Sequence, residues 1–442
     1  MVPYTDQALL LALRSAGQQA VMQVVWLYEH PIDLDGVRRF HRDFGHGLAG
    51  RRIERSPLPF GRHRWIARPG PQAELAIAEN ARPRSEVIDW ALEQVELPLD
   101  PEYGPGWRIG VQPLTDGSTA VSLVISHTLT DGGGLVISLL NTMYGNIRDL
   151  GYPPRNSRTP RQAVLDDLRQ TVKDAPEIGR TLVKAAKVAA RRRRELVAPA
   201  APASPAGSDD RPVSPPMAVA TIEVTDWDER AESLGGNSFS LVAGFAGKLA
   251  QYLGRTRPGD GAVTLMLPVN EREDFEDAGG NVVAIASVSF DPGPVAKDLT
   301  AVRTAIRQGL KAAREKPDEM VELLPLIPFL PKRAMARMAE MAFGFTTDVP
   351  VSCTNMGDIP DDLRRVDGTP AEIVLFRGVD RNLSRADLER RGGGLQVASA
   401  RLGGRIVLTV TSYRLGANNS ASQLREVIAQ TLAEFDLTAA IE

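Results

Sequence analysis

A single cysteine, Cys353, stands in a chain of 442 residues, so no internal disulfide can form and the usage matches a reducing compartment. Charge of one sign is not in excess. The 52 Lys and Arg face 55 Asp and Glu, a net −3, which excludes a global nucleic-acid footprint. No apolar run approaches the roughly 18 residues that would span a bilayer. The stretch Ala8–Leu13 is short, follows Asp6 and has no basic residue before it, which is not the pattern of a signal peptide. No C-x-x-C, H-E-x-x-H or G-x-x-x-x-G-K string occurs, and Gly104, Gly106 and Gly110 have the wrong spacing for a dinucleotide loop. His41 and His46 stand among charged residues, so a solvated helix face is expected there rather than a metal site. What remains is ordinary globular composition, 43% apolar and 24% charged, expected to be soluble and cytoplasmic.

The charge that is present is unevenly placed. Residues 151–195 hold 12 Lys/Arg against 5 Asp/Glu, so this piece is basic and the rest of the chain acidic. Val197–Met217 follows with six prolines and five alanines and almost no hydrophobic periodicity. Such a stretch cannot bury a core and predicts an exposed linker. The domain expectation is therefore an N-terminal lobe over 1–196, a linker over 197–217 and a C-terminal lobe over 218–442.

β-branched, apolar runs predict strands at Ala20–Glu29, Thr119–Ser126, Ala262–Val269, Val282–Phe290, Pro350–Thr354 and Arg405–Tyr413. Helices are expected at Leu34–Leu48, Ser85–Val95, Ser238–Leu253, Leu299–Ala313 and Ser422–Phe435. Strands and helices interleave without strict βαβ order. The fold class is then mixed α/β (α+β), with a mixed sheet in each lobe.

The chemistry centres on Ser126-His127-Thr128-Leu129-Thr130-Asp131-Gly132-Gly133-Gly134. A buried strand delivers His127 at its end, and a glycine run turns the chain into an apolar helix at Leu135–Leu140. Histidine exchanges a proton near neutral pH, as general-base catalysis requires. Asp131, four residues on, can fix the imidazole or, turned away, hold the loop through an arginine. The bland alternative is a strand-ending histidine followed by a turn.

Three segments precede the histidine strand: Leu97-Pro98-Leu99-Asp100, Gly104-Pro105-Gly106-Trp107-Arg108 and Leu114-Thr115-Asp116-Gly117. Beyond the proline-rich stretch come Leu267-Pro268-Val269-Asn270-Glu271-Arg272, then Gly279-Gly280-Asn281, then Ser352–Gly357 (SCTNMG). This collinear succession resembles the wax ester synthase/diacylglycerol acyltransferase family. That family belongs to the superfamily of chloramphenicol acetyltransferase and peptide-synthetase condensation domains. The resemblance implies two chloramphenicol-acetyltransferase-like lobes with a tunnel for the acyl thioester between them. It implies His127 as the catalytic base, with Asp131, Gly132 and Arg272 as structural support and Asp131 paired to Arg272 across the lobes. Trp107 and Asn355 are expected to bind substrate. No bound cofactor or metal is implied; acyl-CoA or an acyl-carrier thioester is the co-substrate. Ser126 stands where the family has a first histidine, and Asn237-Ser238 stands for an Asn-Asp pair.

The reading from sequence is thus a CoA-dependent O-acyltransferase of lipid metabolism, moving an acyl group from a thioester to a hydroxyl acceptor. The alternatives are a condensation-type, amide-forming enzyme and a family member that binds acyl thioesters or lipid without turnover. Ile178–Glu195 (IGRTLVKAAKVAARRRRE) is a basic helix suited to anionic lipid on the inner membrane face or to coenzyme A phosphates, with a solvated helix as the alternative. Glu319–Phe345, rich in Met, Leu and Phe, is expected to be core or a wall for an acyl chain. Cys353 is expected to pack in the core.

Overall fold

The computed structural model describes residues 1–191, 212–315, 321–331, 334–335 and 349–442. The first part of the chain runs α1 (Tyr4–Ser15), β1 (Gln19–Tyr28), α2 (Leu34–Phe44), β2 (Arg51–Glu54), β3 (Arg64–Ala67), β4 (Ala76–Ile77), α3 (Val87–Glu96), β5 (Trp107–Pro113), β6 (Thr119–Ser126), α4 (Gly132–Met143) and α5 (Pro160–Arg191). The second part runs β7 (Met217–Glu223), α6 (Val224–Ser233), α7 (Ser238–Tyr252), β8 (Val263–Asn270), β9 (Val283–Phe290), α8 (Thr300–Glu315), β10 (Val351–Asp358), β11 (Ile373–Arg381), α9 (Arg385–Arg390), β12 (Gly394–Leu402), β13 (Arg405–Tyr413), α10 (Ala421–Glu434) and β14 (Ala440–Ile441).

Two mixed sheets result, of five and seven strands. The first has the order β11-β1-β6-β5-β4, so β6 lies at its centre, and every residue of β6 is buried. Its run of Val, Leu and Ile suits a strand covered on both faces. The second sheet has the order β14-β7-β13-β12-β10-β8-β9, with β10 parallel to both of its neighbours. Helix α7 crosses this lobe's core with Leu241, Val242, Phe245, Ala246 and Leu249 wholly buried. Asn237 caps it by accepting from the Ser240 amide, and Ser238 accepts from the Trp227 indole. The Asn237-Ser238 pair therefore starts a helix.

The chain boundary between the halves does not separate the lobes. After β10 the chain leaves the second lobe: Ile359, Leu363, Val366 and Ala371 enter the core of the first. Strand β11 then closes the first sheet by pairing antiparallel with β1. Trp26 donates its indole N–H to the Leu363 carbonyl (2.8 Å), and the Tyr28 hydroxyl donates to Arg364 (3.1 Å). Arg377, buried on β11, donates to Gln23 of β1 at 2.7 Å, and burial pulls its guanidinium down to about 9. The first lobe is thus not confined to the expected 1–196, because residues 359–381 contribute to its core and sheet. The apolar surface of Val25, Leu27 and Leu375 packs against Met217, Val219 and Val407, joining the lobes directly. Met217, expected to end the linker, opens β7 and is fully buried. Residues 197–211 of that linker lie outside the described residues.

Candidate active site

His127 sits one residue past β6. Its amide donates to the Ala20 carbonyl at 2.9 Å, so the ladder between β6 and β1 carries on to the histidine itself. The chain then turns through Leu129 and Thr130 to Asp131, whose side chain accepts from the Gly134 amide (2.8 Å) and caps α4. An aspartate at an N-cap also complements the positive end of the helix.

Asp131 does not face the imidazole. Its Oδ1 accepts from Gly134 N and from Arg272 Nε (3.3 Å), while its Oδ2 accepts from Arg272 Nη2 (2.9 Å) and Val282 N (2.7 Å). A carboxylate offers about four acceptor positions, and four donors fill them. Arg272 spends its other N–H groups on the carbonyls of Asp277 (3.0 Å) and Gly280 (2.9 Å). Both side chains are shut off from solvent, at 1% and 2% exposure. The expected pair therefore forms, and it ties α4 of the first lobe to the 271–282 loop between β8 and β9.

Two further buried charges hold the same loop. Arg51, fully buried on β2, donates to Leu129 O and to Ala278 O, each at 2.6 Å. Its guanidinium lies 4.0 Å over the Trp65 ring and also donates to the Tyr152 hydroxyl (2.8 Å). Asp6 of α1 accepts from both the amide and the side-chain nitrogen of Asn281 (2.9 Å each). Asn281 in turn donates to the His127 carbonyl at 3.0 Å. Two carboxylates and two guanidiniums thus lock the His127 loop to the crossing loop. Sealed from water, such charges persist only because each is paired or hydrogen-bonded. Burial nonetheless raises the Asp6 carboxyl, whose Oδ2 finds no partner among the described residues.

The imidazole of His127 is itself half-buried, and its Nδ1 is enclosed without a hydrogen-bond partner among the described residues. Among the described residues no carboxylate is hydrogen-bonded to the ring. From the other side β10 approaches: a Cβ added to Gly132 would meet Met356 Sδ and Cε at 3.3 Å. Gly132 is therefore where the second lobe's strand comes close, and Gly133 does the same for the Asn270 side chain.

Three residues singled out from sequence are held by hydrogen bonds within the fold. Trp107 is fully buried in the first lobe, donating to Ala49 O (3.1 Å) and stacking edge-on with His41 and Phe44. The alternation of β5 points it inward, into the core of the first lobe. Asn355 Oδ1 accepts from Gly357 N (2.9 Å) and Ser399 Oγ (3.1 Å), shaping a bulge in β10, and its neighbour Met356 makes the contact to the histidine loop. His41 is buried rather than solvated, its Nε2 at 3.0 Å from Ala73 O. Among the described residues no His, Cys, Asp and Glu group could hold a metal. Cys353 is buried, as expected, and its thiol is pushed up to about 12 by burial.

Asp6 and Arg51 were not legible as site residues, whereas Met356 is a neighbour of Asn355 in the segment expected opposite His127. An acid in a helix's first turn and an arginine in an Arg-Arg pair both read as surface. Their signal is long-range and appears only when the lobes meet. Of Glu319–Phe345, the described Leu323, Leu324, Leu326 and Ile327 are core, packed near Ala8 of α1; most of the rest lies outside the described residues. No described helix is long and apolar enough to cross a membrane.

No family model matches the chain. Two Mycobacterium tuberculosis proteins that carry the name Putative diacylglycerol O-acyltransferase are 24% identical over 293 residues, 59% of this chain. The match spans 58% of their own length. Among solved structures, the first condensation domain of the CDA synthetase is similar with a TM-score of 0.58 and 14% identity, covering 100% of this chain and 98% of that one. The wax ester synthase/diacylglycerol acyltransferase from Marinobacter aquaeolei gives 0.55 and 15%, covering 98% of each. The chain has the two-lobed fold of these proteins, and the resemblance read from sequence is borne out at that level.

Proposed function

We propose that this protein is an acyltransferase that moves an acyl group from a CoA or carrier-protein thioester to a hydroxyl, with His127 as general base. One observation carries the reading: Asp131 is saturated by Arg272 and two backbone amides, and the histidine stands at the lobe junction with no carboxylate partner among the described residues. A lone imidazole held by its backbone suits a base that must pick up a proton and return it. In the proposed step a ring nitrogen takes the acceptor O–H proton as that oxygen bonds to the thioester carbon. The C–S bond then breaks, and the departing sulfur receives the proton from the imidazolium. Ester and free thiol are the products. Orientation of the two substrates between the lobes supplies the rest of the rate. The acyl thioester is a substrate here, not a resident group.

Fold likeness to a condensation domain supports a second reading, in which an amine replaces the hydroxyl and an amide forms. Purified protein incubated with acyl-CoAs of several lengths and either acceptor separates the two. Thiol release that needs a hydroxyl compound, with an ester detected by mass spectrometry, supports the first reading. Amide formation supports the second. Absence of thiol release with either acceptor contradicts both and leaves binding without turnover.

A further inference from the structure

Helix α5 is turned the opposite way from an ordinary surface helix. A soluble protein's helix hides its apolar stripe and shows its polar face. Here the polar face is hidden. Asp167 accepts from Ser56 (2.5 Å) and pairs with Arg158 (2.6 Å), Asp174 pairs with Arg62 (3.5 Å), and Thr181 is buried beside them. These contacts fix the rotation of the helix. Facing out instead are Val164, Leu165, Leu168, Val172, Leu182 and Val183, between 38% and 67% exposed. At 3.6 residues per turn they fall on one stripe, continued by Ala175, Gly179 and Ala186.

Charge is arranged beside this stripe, not opposite it. Arg169, Lys173, Arg180, Lys184 and Lys187 are exposed and share one flank of the helix. Of the four acids in α5, Asp167 and Asp174 are turned inward, leaving Asp166 and Glu177 against this row. An apolar stripe with a basic edge matches a helix lying in a membrane interface, hydrocarbon below and anionic headgroups alongside. An antiparallel pairing of two copies would instead set the two basic flanks beside each other.

We infer that the outward stripe of α5, over residues 164–186, docks the protein on an anionic phospholipid bilayer. This moves the contact expected from sequence at 178–195 toward the N-terminal half of the helix; residues 192–195 lie outside the described residues. The readout needs no acyl transfer, so its failure is separate from failure of the proposed activity. The full chain is sedimented with vesicles of phosphatidylcholine alone or mixed with phosphatidylglycerol, and its mass is followed by analytical ultracentrifugation.

Binding to the anionic vesicles is expected to be at least about tenfold tighter than to the neutral ones. Leu168→Glu, Val172→Glu and Leu182→Glu together should weaken it by about tenfold or more, with unchanged circular dichroism and melting temperature, since all three are exposed. Lys173→Glu with Arg180→Glu should remove the preference for anionic lipid. The proposal is overturned if the wild type ignores phosphatidylglycerol vesicles or if the triple variant binds as tightly as wild type. A wild-type dimer that the triple variant dissolves, without vesicle binding, also overturns it by assigning the face to a second copy.

Discussion

Asp131 and Arg272 meet at 2.9 Å, 141 positions apart in the chain, with both side chains almost wholly closed to water. One caps the helix that follows the histidine; the other belongs to the loop that crosses from the second lobe. Their pairing makes the shape of the histidine loop depend on the closure of the lobes. Asp131→Asn and Arg272→Met should each cost about 3–5 kcal/mol, because each leaves a buried charge without its partner. The double variant should lose clearly less than the sum of the two. Thermal or urea unfolding of the four proteins checks this, and simple additivity would sink the coupling.

The three glycines are not equivalent. A Cβ at Gly134 would sit 2.2 Å from Thr130 Oγ1 and 2.8 Å from Arg272 Nη2, whereas one at Gly132 meets the flexible end of Met356 at 3.3 Å. Gly134→Ala should therefore destabilise by about 1–3 kcal/mol, against the usual gain from alanine in a helix. Gly132→Ala should leave the melting temperature within a few degrees of wild type. Equal melting temperatures for the two variants would contradict the contact geometry.

His63 gives the protein an acid-sensitive window. Burial lowers its ring from 6.5 to about 4, in surroundings that include Glu102, Asp167, Arg55 and Arg14. Between these values the unfolded chain binds the proton and the folded chain does not. Stability should thus fall as pH drops from about 6.5 to about 4, by up to ~1.4 kcal/mol per pH unit, and this contribution should level off below. His63→Gln should flatten that stretch of the stability–pH curve. An unchanged slope in the variant would assign the effect to other groups.

Cys353 should behave as an inert core residue. With its thiol pushed up to about 12 and no exposure, it should resist alkylation by iodoacetamide at pH 8 until the protein is unfolded. Rapid labelling of the folded protein would contradict this.

Much of the core was legible from pattern. Thr119–Ser126 and Arg405–Tyr413 are strands over the expected residues, because unbroken β-branched runs admit little else. Strand β11 was not legible. Its sequence, IVLFRGVDR, carries Arg377, Gly378 and Asp380, and the buried arginine is met by Gln23 across the pairing. Helix α5 was read over its basic second half alone, since a helix that buries aspartates and exposes leucines defeats the usual rule. His127, Asp131 and Arg272 were found as a collinear resemblance and are brought together as expected. The inward face that Trp107 takes on β5 was not legible, because an aromatic before the motif strand carries no sign of it.

The central claim is that His127 removes the acceptor proton, and His127→Ala tests it most directly. Acceptor-dependent release of free CoA is followed with a thiol reporter for wild type and variant, beside the melting temperature of each. The account predicts a loss of about 100-fold or more in turnover with the fold retained. A well-folded variant that keeps more than about a tenth of wild-type turnover would contradict it.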